Sequence, residues 1–479
     1  MDKGRLPHIV IVGGGIAGLA AAHRLQELSR ERELPLRFTL LEASGRVGGT
    51  LGTEHRNGFL LELGPDSFIS EKPWALALCR RIGLDSELIG TRDEYRATFV
   101  VHNDKLELLP EGFMLLAPTK LGSLLRSRLF SWPGKLRMAL DFVLPRGPSQ
   151  DDESLGSFVR RRFGREVLER VAQPLIGGIY TADPDYLSLA STMPRFLQME
   201  REHRSVIAAM WKASRNRPQE AQSASGARWS LFVSLRNGMQ TLVDTLTTRL
   251  SLGHIRRHCA VSQLQRVNGQ WYVECEDESV LSADGVILAT PTFQTASLVR
   301  RLDPQLTEYL ATIRYSSAAT VNLAFRRDQI PHPLNGFGFV VPHVENRKII
   351  ACSFSSVKYA GRAPEGHTLL RAFVGGSLQE EVFNLDDTAM EQVVRHELAT
   401  FLGISTAPQF IHIARYPHSM PQYRVGHLRL VETIEKQVAQ YSGLALAGNA
   451  YRGVGIADCV RSGEAAAELV LTPVSQDLP

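Results

Sequence analysis

Four apolar residues in succession, "IVIV" at 9–12, read as a buried strand, and three glycines follow at once. The next stretch, "IAGLAAAHRL" at 16–25, is rich in Ala and Leu and lacks a β-branched cluster, which predicts a helix. A second run, "RFTLLE" at 37–42, predicts another strand, this one ending on an acid. Far downstream, residues 258–291 alternate strand-like stretches with turn signals at Asn268-Gly269 and Asp284-Gly285. Residues 443–470 read as a strand, a glycine turn and a helix, and "YSSAATVNLAF" at 315–325 as a long strand elsewhere.

The first three elements carry chemistry. Gly13, Gly15 and Gly18 stand at G-x-G-x-x-G spacing, with Gly14, Ile16 and Ala17 between them. This spacing turns strand into helix and lets backbone approach a pyrophosphate, whose charge the helix N-terminus favours. Glu42, at the end of the second strand, is placed to accept hydrogen bonds from a ribose. Arg46, Gly48 and Gly49 then form an R-x-G-G, which a plain NAD enzyme does not need. A second glycine turn with a guanidinium suits a longer cofactor that runs past its pyrophosphate.

Composition narrows the classes. At 479 residues the chain expects two or three domains, and 44% hydrophobic with 22% charged residues is ordinary for a soluble globular protein. The net charge of +4, from 54 basic and 50 acidic residues, is too balanced to argue for nucleic acid. Five cysteines (Cys79, Cys259, Cys275, Cys352 and Cys459) are scattered without a C-x-x-C, so reduced thiols are expected rather than a metal or disulfide framework. The first strand begins too early to leave room for a signal peptide, and no apolar run is long enough to span a bilayer, so a cytoplasmic protein is expected. Residues 216–227, "NRPQEAQSASGA", are the nearest to a flexible stretch. The 14 histidines suggest no catalytic pair, and no general base is assigned.

Further segments add a resemblance: "LELGPDSF" (61–68), "QPLIGGIYTADPDYLSLASTMPRF" (173–196), "LNGFGFVVP" (334–342), "GRAPEGHTLLRAFVGG" (361–376), "YPHSMPQYRVGHL" (416–428) and "GNAYRGVGIADC" (448–459). Together they resemble the protoporphyrinogen oxidase family, which includes the bacterial coproporphyrinogen III oxidases, among the FAD-dependent amine oxidase-like flavoproteins. The resemblance implies an α/β fold, α+β overall: a Rossmann-like FAD-binding domain from 1–70, 225–290 and 406–479, a mixed-sheet substrate domain from 90–110 and 291–405, and a helical insert at 111–215. By motif match Gly13, Gly14, Gly15, Ile16, Ala17 and Gly18 would meet the pyrophosphate. Glu42 and Ala43 would lie by the ribose, with Arg46, Gly49 and Thr50 further along. Val261 would meet adenine through its backbone. Gly64, Pro65, Asp66 and Ser67 would line the flavin, and Asn449, Val454, Gly455 and Ile456 would frame its ring, beside a second helix N-terminus. Tyr359, Val340 and Ile330 fall where the family packs apolar groups on the tetrapyrrole. The animal enzymes carry an arginine where Thr98 stands, and Arg96, two residues earlier, would substitute for it. Thr181-Ala182-Asp183 and Ala457 also depart from the usual pattern.

The implied reaction converts a porphyrinogen to a porphyrin. Hydride passes to flavin N5, protons leave pyrrole nitrogens, and dioxygen accepts the electrons to give hydrogen peroxide. Six electrons leave in three two-electron rounds. Asp66 is the charged side chain to test. Residues 115–147 carry Lys120, Arg126, Arg128, Lys135, Arg137 and Arg146 among Leu, Phe and Trp, and Arg160, Arg161, Arg162 and Arg165 form a second basic patch. Such a surface suits an acidic tetrapyrrole rim or a weak peripheral contact with the cytoplasmic membrane face. A second copy of the chain is a further candidate partner. Coproporphyrinogen III and protoporphyrinogen IX both stay open, as do an amine or carotenoid substrate, a non-catalytic flavin or tetrapyrrole carrier, and an NAD-dependent dehydrogenase. Gly448-Asn449-Ala450, in place of a Gly-Thr-Glu, disfavours an amine.

Overall fold

Residues 6–110, 113–114, 117–118, 121–147, 151–215, 231–250 and 254–476 are described by a computed structural model. The apolar run at the start forms strand His8–Val12, buried along its whole length because it is central in a five-stranded parallel sheet. The order is Ile255–Arg256, Arg37–Leu41, His8–Val12, Gly285–Leu288 and Leu444–Leu446. Strands covered on both faces read as continuous apolar runs, as here. One face is covered by helices Ile16–Glu31 and Ile456–Gln476, which share one core. They cross where Gly463 stands, since a Cβ there would overlap the carbonyl of Ala17. On the other face, helices Thr292–Val299, Pro304–Thr312 and His427–Val438 pack with a small antiparallel sheet of Val261–Val267, Gln270–Cys275 and Val280–Ala283.

Asn268-Gly269 is a hairpin turn, with both residues at positive φ. Asp284-Gly285 is not a turn between hairpin strands. Gly285 opens a central parallel strand, where a Cβ would meet Val470 and Ile9, and the Asp284 carboxylate accepts from the His8 N–H at 2.8 Å.

The second large sheet has seven strands, ordered Phe410–Pro421, Tyr315–Arg326, His367–Gly375, Ala351–Ser353, Gly338–Val340, Thr98–His102 and Lys105–Leu108. Strand Phe410–Pro421, expected with the nucleotide-binding part, pairs instead with Tyr315–Arg326. Most of residues 121–215 is helical and holds its own apolar cluster.

The expected basic patch at 160–165 is not free. Arg160 pairs with Asp185, Arg161 with Glu153 and Glu200, Arg162 with the buried Asp141, and Arg165 with Glu169. Lys120 and the stretch 216–227 lie outside the described residues. Among the described residues no helix is long and apolar enough to cross a membrane.

Candidate active site

Open parallel sheets take ligands beyond the carboxyl ends of their strands. Here the hydrogen-bond ladder runs one residue past four strand ends. Gly13 N–H donates to Leu41 O (2.8 Å), Glu42 N–H to Arg256 O (2.9 Å), Ala289 N–H to Val12 O (2.8 Å) and Ala447 N–H to Leu288 O (3.0 Å). Gly13, Glu42 and Ala447 therefore share one edge, with Asn449 just beyond. Val261 joins them, because Cys259 N–H donates to Glu42 O at 2.9 Å.

The glycine turn is tight. Gly13 sits at φ +105°, and a Cβ on Gly18 would overlap the Gly13 carbonyl. A Cβ on Gly15 would meet nothing within 4 Å, and no side chain caps the helix that begins there. Helix N-terminal amides thus face open space, as a phosphate site requires. Glu42 accepts from Gly14 N–H and Ser44 N–H, both at 2.8 Å, which fixes its carboxylate at that edge with Ala43 exposed beside it.

The R-x-G-G loop links this turn to the next segment. Gly48 N–H donates to Gly14 O at 2.7 Å, and a Cβ on Gly64 would overlap the carbonyl of Thr50. The Arg46 guanidinium donates to Leu51 O at 2.8 Å and to Gly49 O at 2.5 Å. It braces its own loop.

Residues 62–67 rest on the seven-stranded sheet. Thr320 donates to Leu63 O (2.7 Å), Asn322 to Glu62 O (3.2 Å), and Arg371 to Gly64 O. Asp66 accepts from Ser67 (2.6 Å) and from Lys358 Nζ (3.0 Å), with Arg371 at 4.0 Å, while Pro65 is exposed. Burial opposes ionisation of Asp66, but the charges of Lys358 and Arg371 outweigh it and hold the carboxyl well below its ordinary range. Glu62 behaves oppositely. Burial pushes it up to about 7, despite Arg362 at 3.8 Å and bonds from Thr53 (2.8 Å) and Met239 N–H (3.0 Å).

The last segment is held by Tyr423, whose hydroxyl donates to Asn449 O at 2.5 Å and accepts from Gly453 N–H at 2.8 Å. Gly455 and Ile456 start the final helix, and Lys72 ties it to the 64–72 segment through Asp458 at 2.6 Å. Val454 packs against the helical cluster that also takes Val340, Tyr180 and Tyr423.

Of the expected substrate-side residues, Val340 and Tyr359 lie near these groups. Tyr359 is buried, its ring lies under the Lys358 and Arg362 cations, and its hydroxyl is buried beside the Asp66–Ser67 turn. Ile330 does not: it is core of the seven-stranded sheet, in one cluster with Phe339, Phe401 and Leu402. Arg96 lies before strand Thr98–His102 rather than in it, is 60% exposed, and pairs with Asp93.

A sequence profile described as flavin containing amine oxidoreductase matches residues 16–471. The coproporphyrinogen III oxidase of Bacillus subtilis (strain 168) is 37% identical over 97% of this chain and 98% of its own. The protoporphyrinogen oxidase of Bos taurus is 33% identical over 97% and 98%. A crystal structure of a protein from Exiguobacterium sp. 255-15 superposes with a TM-score of 0.84 at 32% identity, covering 96% of this chain and 98% of that one. The chain belongs to the flavin containing amine oxidoreductase family. It is an FAD-dependent oxidoreductase.

The residues present fit an FAD. The open space at Gly15, the carboxylate of Glu42, and Gly448 at φ +129° with nothing within 4 Å of a built Cβ lie at the carboxyl edge of the parallel sheet, where a dinucleotide would cross. Lys358, Arg362, Arg371 and Tyr423 escaped the sequence reading. The available signal was a polar residue inside an apolar strand, since Arg371 interrupts "TLLRAFVG" and Asn322 interrupts "ATVNLAF" in the cross-strand position.

The raised Glu62 carboxyl has a measurable consequence. Between about pH 4.5 and 7 the unfolded chain ionises this residue while the folded chain keeps it protonated, so stability falls as pH rises through that window. Glu62→Gln is expected to remove that slope, at most about 1.4 kcal/mol per pH unit. Urea titrations of both proteins at several pH values check it.

Proposed function

We propose that this chain oxidises a porphyrinogen to a porphyrin, with coproporphyrinogen III preferred over protoporphyrinogen IX and dioxygen as the final acceptor. The observation that carries the reading is the near-full-length likeness to porphyrinogen oxidases, together with half-buried Val340 and Val454 packed on the helical cluster next to the Asn449–Ile456 turn. A greasy macrocycle needs such a wall close to the redox centre. Near-full-length similarity to an oxidase named for coproporphyrinogen III supports the substrate class. FAD supplies hydride acceptance. The chain's own residues set position and charge: Lys358, Arg371 and Asp66 hold the 62–67 segment, and Tyr423 holds the 449–453 turn.

Residues 121–147 support a peripheral membrane contact of a cytoplasmic protein. Trp132, Leu136, Leu140 and Val143 recur at helical spacing and are 67, 67, 47 and 66% exposed, with Leu125, Arg126 and Arg128 exposed nearby. Each basic residue at an anionic bilayer adds about 1 kcal/mol.

The test is kcat/KM for both porphyrinogens, with oxygen uptake and peroxide release followed together. Coproporphyrinogen III is expected to give the higher kcat/KM, by about tenfold or more. Comparable values would remove the preference. Absence of oxygen uptake with either compound would leave the carrier reading in its place.

A further inference from the structure

Two of the cysteines that look scattered in the sequence meet in the fold. The Cys259 and Cys275 sulfurs lie 3.1 Å apart, and both residues are 4% exposed. Their surroundings connect them to the cofactor edge. Cys259 N–H donates to Glu42 O at 2.9 Å and His258 N–H to Ser44 O at 3.1 Å, so this segment runs alongside the carboxylate assigned to the ribose. Cys275 lies opposite Val261, the residue expected at adenine, and Glu276 N–H donates to Ala260 O at 2.8 Å.

We propose that Cys259 and Cys275 are a peroxide-oxidisable dithiol whose disulfide ties the segment bracing Glu42 to the small antiparallel sheet. One thiol takes oxygen from hydrogen peroxide, breaking the O–O bond and releasing water, and becomes a sulfenic acid. The second sulfur attacks it, a sulfur–sulfur bond forms, and a second water leaves. Hydrogen peroxide gains the two electrons and two protons that the dithiol loses. Two sulfurs already in contact need little backbone movement to close.

Burial, and then the neighbouring sulfur, push the Cys259 thiol up to about 12, so this sulfur stays protonated and reacts slowly. The pair therefore registers peroxide that accumulates. A disulfide here fixes the edge that holds the adenosine half of the cofactor, and so slows FAD loss. The source of the peroxide rests on the proposed oxidase activity; the pairing of the sulfurs does not.

The experiment treats the holoenzyme with added hydrogen peroxide and no porphyrinogen, then alkylates the denatured chain. Two of the five thiols should disappear, the peptides of Cys259 and Cys275 should be recovered linked, and reductant should restore both. Cys259→Ser and Cys275→Ser should each abolish the link. Oxidised wild type should release FAD severalfold more slowly than reduced wild type, and Cys259→Ser should show no change. Full alkylation after peroxide, loss of thiols without a linked peptide, or equal FAD release from the two forms would each overturn the proposal. A second arm replaces added peroxide with porphyrinogen and oxygen. If the link forms with added peroxide but not in this arm, the dithiol stands and the oxidase reading fails.

Discussion

A Gly18→Val chain is expected to yield no holoenzyme. At this position the added atoms would meet the Gly13 carbonyl, which is backbone and cannot rotate away. Gly13 in turn is pinned, because its N–H donates to Leu41 O at 2.8 Å. The turn between strand His8–Val12 and helix Ile16–Glu31 has to open, at a cost of about 3 kcal/mol for overpacking. Purified protein should be colourless and should melt several degrees below wild type. Gly15→Ala separates folding from binding. Its methyl has open space, so stability should change little while FAD affinity falls, because that space is the one offered to the phosphates. Equal FAD content in Gly18→Val and wild type would show that the turn is not this tight.

Asp66→Ala should be the most damaging charge removal. It leaves Lys358 and the nearly buried Arg371 without their carboxylate, and breaking a buried pair on one side costs about 3–5 kcal/mol. The Asp66 carboxyl is held below its ordinary range, so its stabilising effect is full above about pH 4 and is lost as pH falls through the folded value. The variant's deficit, measured by chemical denaturation, should therefore be largest near neutrality and shrink in acid. Asp66→Asn keeps the shape and loses the charge. If it matched wild type in stability and FAD content, the electrostatic account of this loop would fail.

The parts of the fold written as local patterns were readable. The apolar run at 9–12, the glycines after it and the acid at 42 describe a self-contained unit, whose geometry depends on backbone sterics within a few residues. Gly13, Glu42 and Ala447 meet at one end of the parallel sheet for the same reason. What stayed hidden depends on contacts across the chain. Ile330 resembled a substrate contact because apolar residues look alike in sequence, yet it packs against helix Asp387–Leu402. The basic residues at 160–165 looked like a surface patch until their acids, up to 39 residues away, came beside them. Cys259 and Cys275 looked unrelated because only hairpin register brings them together.

The parallel sheet has a consequence for synthesis. Its central strand, His8–Val12, pairs with Gly285–Leu288, and the next neighbour is Leu444–Leu446. The helix that closes over Ala17 begins at Ile456. A ribosome therefore releases the first half of the cofactor pocket long before it makes the second, and the early apolar strand must wait unpaired on one side. That edge of the parallel sheet is therefore complete only once nearly the whole chain has been made.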